Sequence, residues 1–271
     1  MALDPLPSNT QAILRAGAEA VAYHIPIAPP STTNPVLKST VALPSRSQWT
    51  SGLHYHTMHT EYLRLIKGSI FVELDGELKF FSAKAGGEVS WRTGELLTSG
   101  LELKVDRYAR HNWGRAEVRL VSRRLGLHVK IVSPEDRDEE VIVEEWTDPA
   151  DITKPLFFWN LNGVITGIQD APLSRKQSLV EVVLGNWWIP FQLFIIFWDL
   201  DNWPVFVSVR NLGLPFLGEH MDRCFGRLVE HVMTFMVLFA AKFVGTITGT
   251  RAIAQDRTPN DLWNAYKQTR L

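Results

Sequence analysis

Eight consecutive residues, His54-Tyr55-His56-Thr57-Met58-His59-Thr60-Glu61, carry three imidazoles and a carboxylate. Side chains alternate faces along an extended chain, so His54 and His56 project to the same side. Two neutral imidazoles on one face, followed closely by a carboxylate, can converge on one divalent cation. Nitrogen and carboxylate donors accept Fe, Mn, Ni, Zn and Cu, and affinity order alone does not choose among them. His59 is offset from His56 by an odd number of residues and is expected on the opposite face, away from such an ion. Tyr55 and Met58 are expected to pack on the outer side of the strand. No thiolate belongs to the set, which weighs against a structural zinc site.

From His54 onward the spacing resembles the first cupin motif, in which two histidines one residue apart are followed by four residues, a glutamate, six residues and a glycine. Here these are His54, His56, Glu61 and Gly68, while the motif's leading glycine falls on Gln48. The second cupin motif lays Gly100 and His111 in register, with Asp106, Tyr108 and Arg115 where the pattern has proline, glycine and asparagine. The resemblance implies a cupin double-stranded β-helix, a jelly-roll barrel, running from about Ser51 to Val132. It also implies His111 as the fourth ligand beside His54, His56 and Glu61. Such a set leaves positions open on a six-coordinate ion, so dioxygen or substrate can bind directly. Redox chemistry, for which Fe(II) is favoured, and Lewis-acid isomerisation are both feasible.

Other residues have a functional and an ordinary reading. Tyr108 and Arg115 flank His111 and could contact a polar substrate, and Arg115 could equally pair with acidic residues downstream. His128 alternates with Leu127 and Val129, which suits either a proton shuttle facing the cavity or a plain structural histidine. Trp49, Trp91 and Trp113 suit the walls of a pocket for a flat apolar molecule, or core filling.

The elements that must position these residues are short strands. Ile70–Leu74 and Glu77–Phe80 flank Asp75-Gly76, a pair suited to the positive φ angles of a type I′ turn, and predict a hairpin. Leu101, Leu103 and Val105 alternate with charged residues, as do the apolar residues of 127–131. Residues 46–145 therefore read as the barrel. Residues 1–45 read as an N-terminal arm, with a helix over Gln11–Ala22 and a proline-rich extended run from Ile25 to Pro44. Ser133–Asp151, with nine acidic residues opposed only by Arg137, reads as a solvated linker closing the barrel.

Of 271 residues, 45% are hydrophobic, and 28 Lys and Arg balance 29 Asp and Glu. That balance offers no basic stripe and argues against a nucleic-acid partner. One cysteine, Cys224, excludes an internal disulfide and fits a reducing compartment, and no signal-like segment opens the chain, so an intracellular protein is expected. Six of the ten tryptophans lie between 146 and 203. Residues 155–271 read as an apolar helical extension, with a last helix introduced by Thr258-Pro259. Val182–Trp198 has no charged residue and Val232–Thr250 has only Lys242. Residues 182–250 could form a cap over the barrel, a homodimer interface, or a helix pair dipping into or crossing a membrane.

Barrel, motif and tryptophan-rich tail together look like cupin proteins of fungal secondary-metabolite pathways. This resemblance implies a metal-dependent oxidoreductase tailoring a lipophilic polyketide or terpenoid intermediate. A metal-independent isomerase or cyclase, and a membrane-tethered protein that only binds a lipophilic ligand, are the alternatives.

Overall fold

The computed structural model describes residues 7–116, 120–122, 127–129, 139–167, 173–209 and 219–269. In chain order the strands are β1 (Thr10–Arg15), β2 (Val21–Pro26), β3 (Ser39–Leu43), β4 (His54–Tyr55), β5 (Thr60–Lys67), β6 (Ser69–Leu74), β7 (Glu77–Ser82) and β8 (Gly87–Val89). They continue with β9 (Leu96–Ser99), β10 (Glu102–Val105), β11 (His111–Arg115), β12 (Leu120–Ser122), β13 (Leu127–Val129), β14 (Val141–Asp148) and β15 (Trp203–Pro204). The helices are α1 (Thr153–Thr166), α2 (Arg175–Leu184), α3 (Trp188–Asp199), α4 (Glu219–Thr248) and α5 (Asn260–Thr269).

The strands form two main antiparallel sheets. One runs β1-β2-β3-β14-β5-β10 and the other β15-β4-β11-β6-β7-β8-β9, with β12 and β13 paired separately. Apolar residues from both sheets, among them Val21, Leu63, Leu65, Val72 and Trp113, meet in a core that continues without a break into the helices. There Leu156 and Phe157 of α1, Ile195 and Ile196 of α3 and Leu262 of α5 join it. Their burial makes α1 and α3 part of the same structural unit as the barrel.

The hairpin of β6 and β7 forms as its turn residues require, with φ of 50° at Asp75 and 90° at Gly76. Gly68, between β5 and β6, sits at φ 79°, and a Cβ there would lie 2.8 Å from both the Glu140 carbonyl oxygen and a Val141 methyl. Gly68→Ala is therefore expected to destabilise the fold by about 2 kcal/mol or more, through backbone strain and collision together. Thermal unfolding beside the wild type measures this, and an unchanged midpoint would show that the turn relaxes freely.

Three expectations are corrected. Residues 11–22 are not a helix: Gly17, at φ 100°, turns the chain and β1 pairs with β2 from Thr10↔Pro26 to Arg15↔Val21. Pairing into a sheet overrides the local helical tendency of this alanine-rich stretch. Nor is the segment to Pro44 a surface arm throughout, because every residue of β2 and β3 is buried. The acidic stretch is no simple linker either. Its described part contains β14, which lies between β3 and β5 and buries Val141, Val143, Glu145 and Thr147 on alternate positions. Charge counting obscured that period of two.

Downstream, Gly185 breaks the uncharged run into α2 and α3, and α5 begins at the expected place. The Thr258 hydroxyl is engaged with the Ala254 carbonyl. Two helical stretches, Arg175–Asp199 and Cys224–Thr248, are long and apolar enough to cross a membrane by length and composition, and each has only 28% of its apolar window buried.

Candidate metal centre

The two sheets bring the four expected residues together. His54 on β4 lies directly opposite His111 on β11 in one sheet, Glu61 comes from β5 of the other, and His56 follows β4. All four are buried, and their donor atoms lie within 4.8 Å of one another. Two donors on opposite sides of an ion, each about 2.1 Å from it, are about 4.2 Å apart. The cluster needs to contract by only a few tenths of an ångström to close on a cation.

The hydrogen bonds around the imidazoles fix which nitrogen points inward. His54 Nδ1 lies 2.8 Å from the Gly52 carbonyl, His56 Nδ1 2.5 Å from that of Asp201, and His111 Nδ1 3.1 Å from that of Ala109. A carbonyl oxygen only accepts, so Nδ1 of His54 and of His56 carries the hydrogen and Nε2 keeps a lone pair for the centre, whereas His111 Nε2 also lies 2.6 Å from Glu61 Oε2 and offers its lone pair to a cation only in the Nδ1–H form. Burial, with the other imidazoles contributing, holds His54 and His56 well below the usual imidazole pKa and takes His111 to about 4. All three are neutral at neutral pH, the form that ligates. His56 Nε2 is buried with no hydrogen-bond partner, and an unsatisfied acceptor of this kind is costly unless something binds it. On these observations the residues fit a divalent cation.

The turn before His111 explains how the second motif survives its substitutions. Tyr108, at the glycine position of the pattern, adopts φ 64°, the left-handed conformation that glycine takes easily. Its N–H donates to the His56 carbonyl at 2.7 Å, and Ala109 N donates to the Asp106 carbonyl at 3.0 Å. Those bonds hold a strained backbone in place and tie the two ligand segments together.

Three further residues, not singled out from the sequence, complete the site. Lys154, at the start of α1, places its ammonium against Glu61 Oε1 and 3.0 Å from Glu145 Oε2. Glu145, on β14, accepts at 2.8 Å from the Trp113 indole. Burial lowers the Lys154 pKa to about 7 and raises that of Glu145 to about 7. Burial works against the charged form of both groups, which brings their proton affinities closer together than in water. One signal for Glu145 was its alternation with Val141, Val143 and Thr147, which puts it on the inward face. Lys154 stands alone among apolar residues at the head of α1.

Asp201 is the third. It follows α3 and reaches back to the ligand loop with φ 52°. Its carboxylate accepts from Thr57 N and Oγ1, Met58 N and His59 N, and pairs with His59 Nδ1 at 2.8 Å. His59 Nε2 meets Asp151 at 3.0 Å. His59 thus points away from the ligands, as its offset predicts, and fastens the loop. Burial alone would lower its pKa, but the bonds to Asp151 and Asp201 win and raise it to about 9. A histidine raised in this way stabilises the fold fully below its unfolded value near 6.5, and that contribution is lost as pH rises through about 9. The unfolding midpoint is expected to decline over that window, and less steeply in His59→Gln. Parallel slopes for the two proteins would rule the effect out.

The other candidates divide. Tyr55 packs outward, 4.4 Å ring to ring from His231 of α4 and 6.1 Å from Trp203, whereas Met58 is exposed, contrary to expectation. Its position in the loop, after the strand has ended, removes the alternation on which that expectation rested. Tyr108 stacks over Tyr55 outside the barrel and does not line the cavity. Arg115 donates to the Leu43 carbonyl. Trp49 lines the cavity, Trp113 is core, and Trp91 packs beside Phe71 and Phe80 away from it. His128 falls on β13, and its side chain lies outside the described ones.

A cavity of about 290 Å³ adjoins the centre, reached by His54, Glu61, Glu145 and Lys154. Its remaining wall is largely aromatic and aliphatic, with Tyr23 and Trp49 from the barrel, Phe157 and Phe158 from α1, and Leu193 and Phe197 from α3.

No known family profile and no curated protein matches the chain. Among solved structures it is similar to KdgF from Halomonas sp., at 14% identity and TM-score 0.28 over 49% of this chain and 84% of the other. It is similar to a predicted oxalate decarboxylase from Thermotoga maritima, at 13% identity and TM-score 0.30 over 51% and 90%. An RmlC-like cupin from Shewanella frigidimarina shares 11% identity at TM-score 0.26 over 51% and 84%. Scores this low carry nothing about activity. On its own strand order, the chain is a two-sheet antiparallel β-structure with a helical C-terminal extension, and its three-histidine, one-glutamate cluster stands where the spacing resemblance places it.

Proposed function

We propose that the protein is a metal-dependent enzyme that transforms a small, largely apolar molecule in the cavity beside His54 and Glu61. The observation that carries this reading is the convergence of three neutral imidazoles and a carboxylate beside a pocket whose wall is largely aromatic and aliphatic. His54, His56, Glu61 and His111 would hold the ion, which when bound would supply Lewis-acid polarisation or redox chemistry at its open positions. The protein's own residues do the rest. Lys154 engages one oxygen of Glu61, leaving the other for the centre, and with Glu145 it forms a pair at the cavity wall. The aromatic part of the wall, Tyr23, Trp49, Phe157, Phe158 and Phe197, favours a flat hydrophobic substrate. Within this reading, Fe(II) and the oxidation of a polyketide- or terpenoid-like compound form the preferred version.

The Lys154–Glu145 pair favours a second reading, an isomerase or cyclase that needs no metal, because it provides acid and base side by side. Turnover of lipophilic candidate compounds, followed with and without chelator and dioxygen, separates the two. Loss of activity in chelator supports the metal enzyme, and full activity in chelator without dioxygen supports the second. Under either reading Lys154→Gln is expected to lower kcat by about 10²–10⁴-fold, the usual worth of a positioned acid or base. Elemental analysis should find its metal content near that of the wild type. Unaltered kcat would remove Lys154 from the chemistry.

A further inference from the structure

The long helix α4 is inverted relative to a helix bathed in water. Its protein-facing side is made of Glu230, Thr234, Leu238, Ala241, Gly245 and Thr248, all buried. Its outward side presents Phe225, Val232, Met236, Phe239, Phe243 and Ile247, with Phe243 59% exposed. A helix in water turns its large apolar residues inward. Small residues at the contact with large ones outside is the arrangement of helices in lipid. The approach to α3 is close enough that a Cβ on Gly245 would lie 2.6 Å from an Ile195 methyl.

Neighbouring elements extend the face. Leu179, Val182 and Val183 of α2 and Trp187 before α3 are exposed beside it. Between α2, α3 and α4 runs a groove of about 620 Å³ whose lining residues are all apolar, including Val183, Trp187, Phe194, Val237 and Val244.

Charge is arranged to suit the same environment. Between Leu228 and Ile247 the only Asp, Glu, Lys or Arg residues are Glu230 and Lys242. Glu230 is buried against Arg110 at 2.5 Å, and Lys242 meets both carboxylate oxygens of Asp199 at 2.6 Å. The exposed Thr246 spends its hydroxyl on the Lys242 carbonyl. A partner protein would find few hydrogen-bonding groups on α4, where protein interfaces carry about one per 100–200 Å². At one end, Gln177 donates to the Gly249 carbonyl and draws the start of α2 against the end of α4. Arg175, Lys176 and Arg251 are all exposed there, a cationic edge to an apolar face.

The contacts on the other side decide the orientation. Glu230, His231 and Thr234 of α4 touch Arg110, Tyr55 and Pro204, and α3 buries Ile195 and Ile196 in the shared core. Neither helix can cross a bilayer without drawing the barrel into hydrocarbon. We infer that the α2–α3–α4 face lies flat in one leaflet of an anionic phospholipid membrane. Its apolar side chains and groove are filled by acyl chains, with Arg175, Lys176 and Arg251 at the level of the phosphates.

Flotation of the full-length protein with vesicles tests this. The protein is expected to float with phosphatidylcholine–phosphatidylglycerol vesicles and less with phosphatidylcholine alone. Phe239→Glu/Phe243→Glu is expected to weaken binding about tenfold or more. Lys176→Glu/Arg251→Glu should abolish the preference for the anionic lipid. Near-ultraviolet circular dichroism matching the wild type shows that each variant is folded, and any variant that fails it is replaced by Phe243→Ser alone. Three results would overturn the inference. The wild type could remain unbound with both vesicles. Lipid-free protein could form a dimer that the phenylalanine variant dissociates, making a second copy the occupant. External protease could leave a membrane-protected fragment of α4, making it a crossing helix.

Discussion

Replacing His56 by alanine is expected to strip the metal from the protein while leaving the barrel folded. The imidazole contributes a buried Nε2 with no hydrogen-bond partner, so its loss removes a donor from the centre and leaves a small buried void. Changing an outer-shell partner of a metal ligand typically costs roughly 10–100-fold in affinity. Deleting the ligand itself should cost more, taking metal content from near-stoichiometric to background after dialysis. Turnover by the proposed enzyme should fall with it, and circular dichroism should stay that of the wild type. Elemental analysis of the two proteins purified in parallel measures the effect. Equal metal in both would mean that the ion sits elsewhere or that the cluster does not bind one.

The second large effect is expected at Asp201, which touches no ion. Its buried carboxylate gathers the backbone of Thr57, Met58 and His59, the Thr57 hydroxyl and the His59 ring. Those bonds, with the charge of His59 beside it, take its pKa to about 2 despite the opposing effect of burial. In Asp201→Ala the donors remain buried without acceptors, and an imidazolium loses its partner. Breaking a buried pair in this way costs about 3–5 kcal/mol. The loop carrying His56 loses its anchor as well, so metal affinity is expected to drop by roughly 10–100-fold, as for other outer-shell changes. Asp201→Asn keeps one acceptor and tolerates the positive φ, so it should fall between the two. Denaturant unfolding and metal titration of all three proteins check the order. If Asp201→Ala unfolds and binds metal as the wild type does, the network is ornamental.

What the sequence showed of this site follows the range of the interactions. His54, His56 and Glu61 were legible because they fall within eight consecutive residues at the spacing of the first cupin motif. The β6–β7 hairpin was legible because Asp75 and Gly76 carry their own backbone preference. His111 was found only through a pattern that its neighbours violate, and the structure shows why the violation is harmless: Tyr108 adopts the glycine-like conformation, held by its bond to His56. Lys154 and Asp201 were not legible. Each reaches the site from far along the chain, and no local period marks a lysine or aspartate that a distant loop will bury. Glu145 was hidden by acidic company, and β1 by alanines that favour a helix in isolation. In both cases the sheet supplied the deciding contacts.

The bond from His56 to the Asp201 carbonyl has a consequence for how such a chain can change over time. All four candidate donors lie between residues 54 and 111, yet one of the groups that aims them hangs on the far end of α3. The shift in composition near residue 150 suggests a seam where halves could be exchanged, and the site is stitched across it. A tail borrowed from another barrel would bring the wrong carbonyl, and a barrel shorn of its tail would keep every donor and lose the aim of one. Substitutions in the ligand loop and in the α3–β15 junction are therefore free to drift only in step.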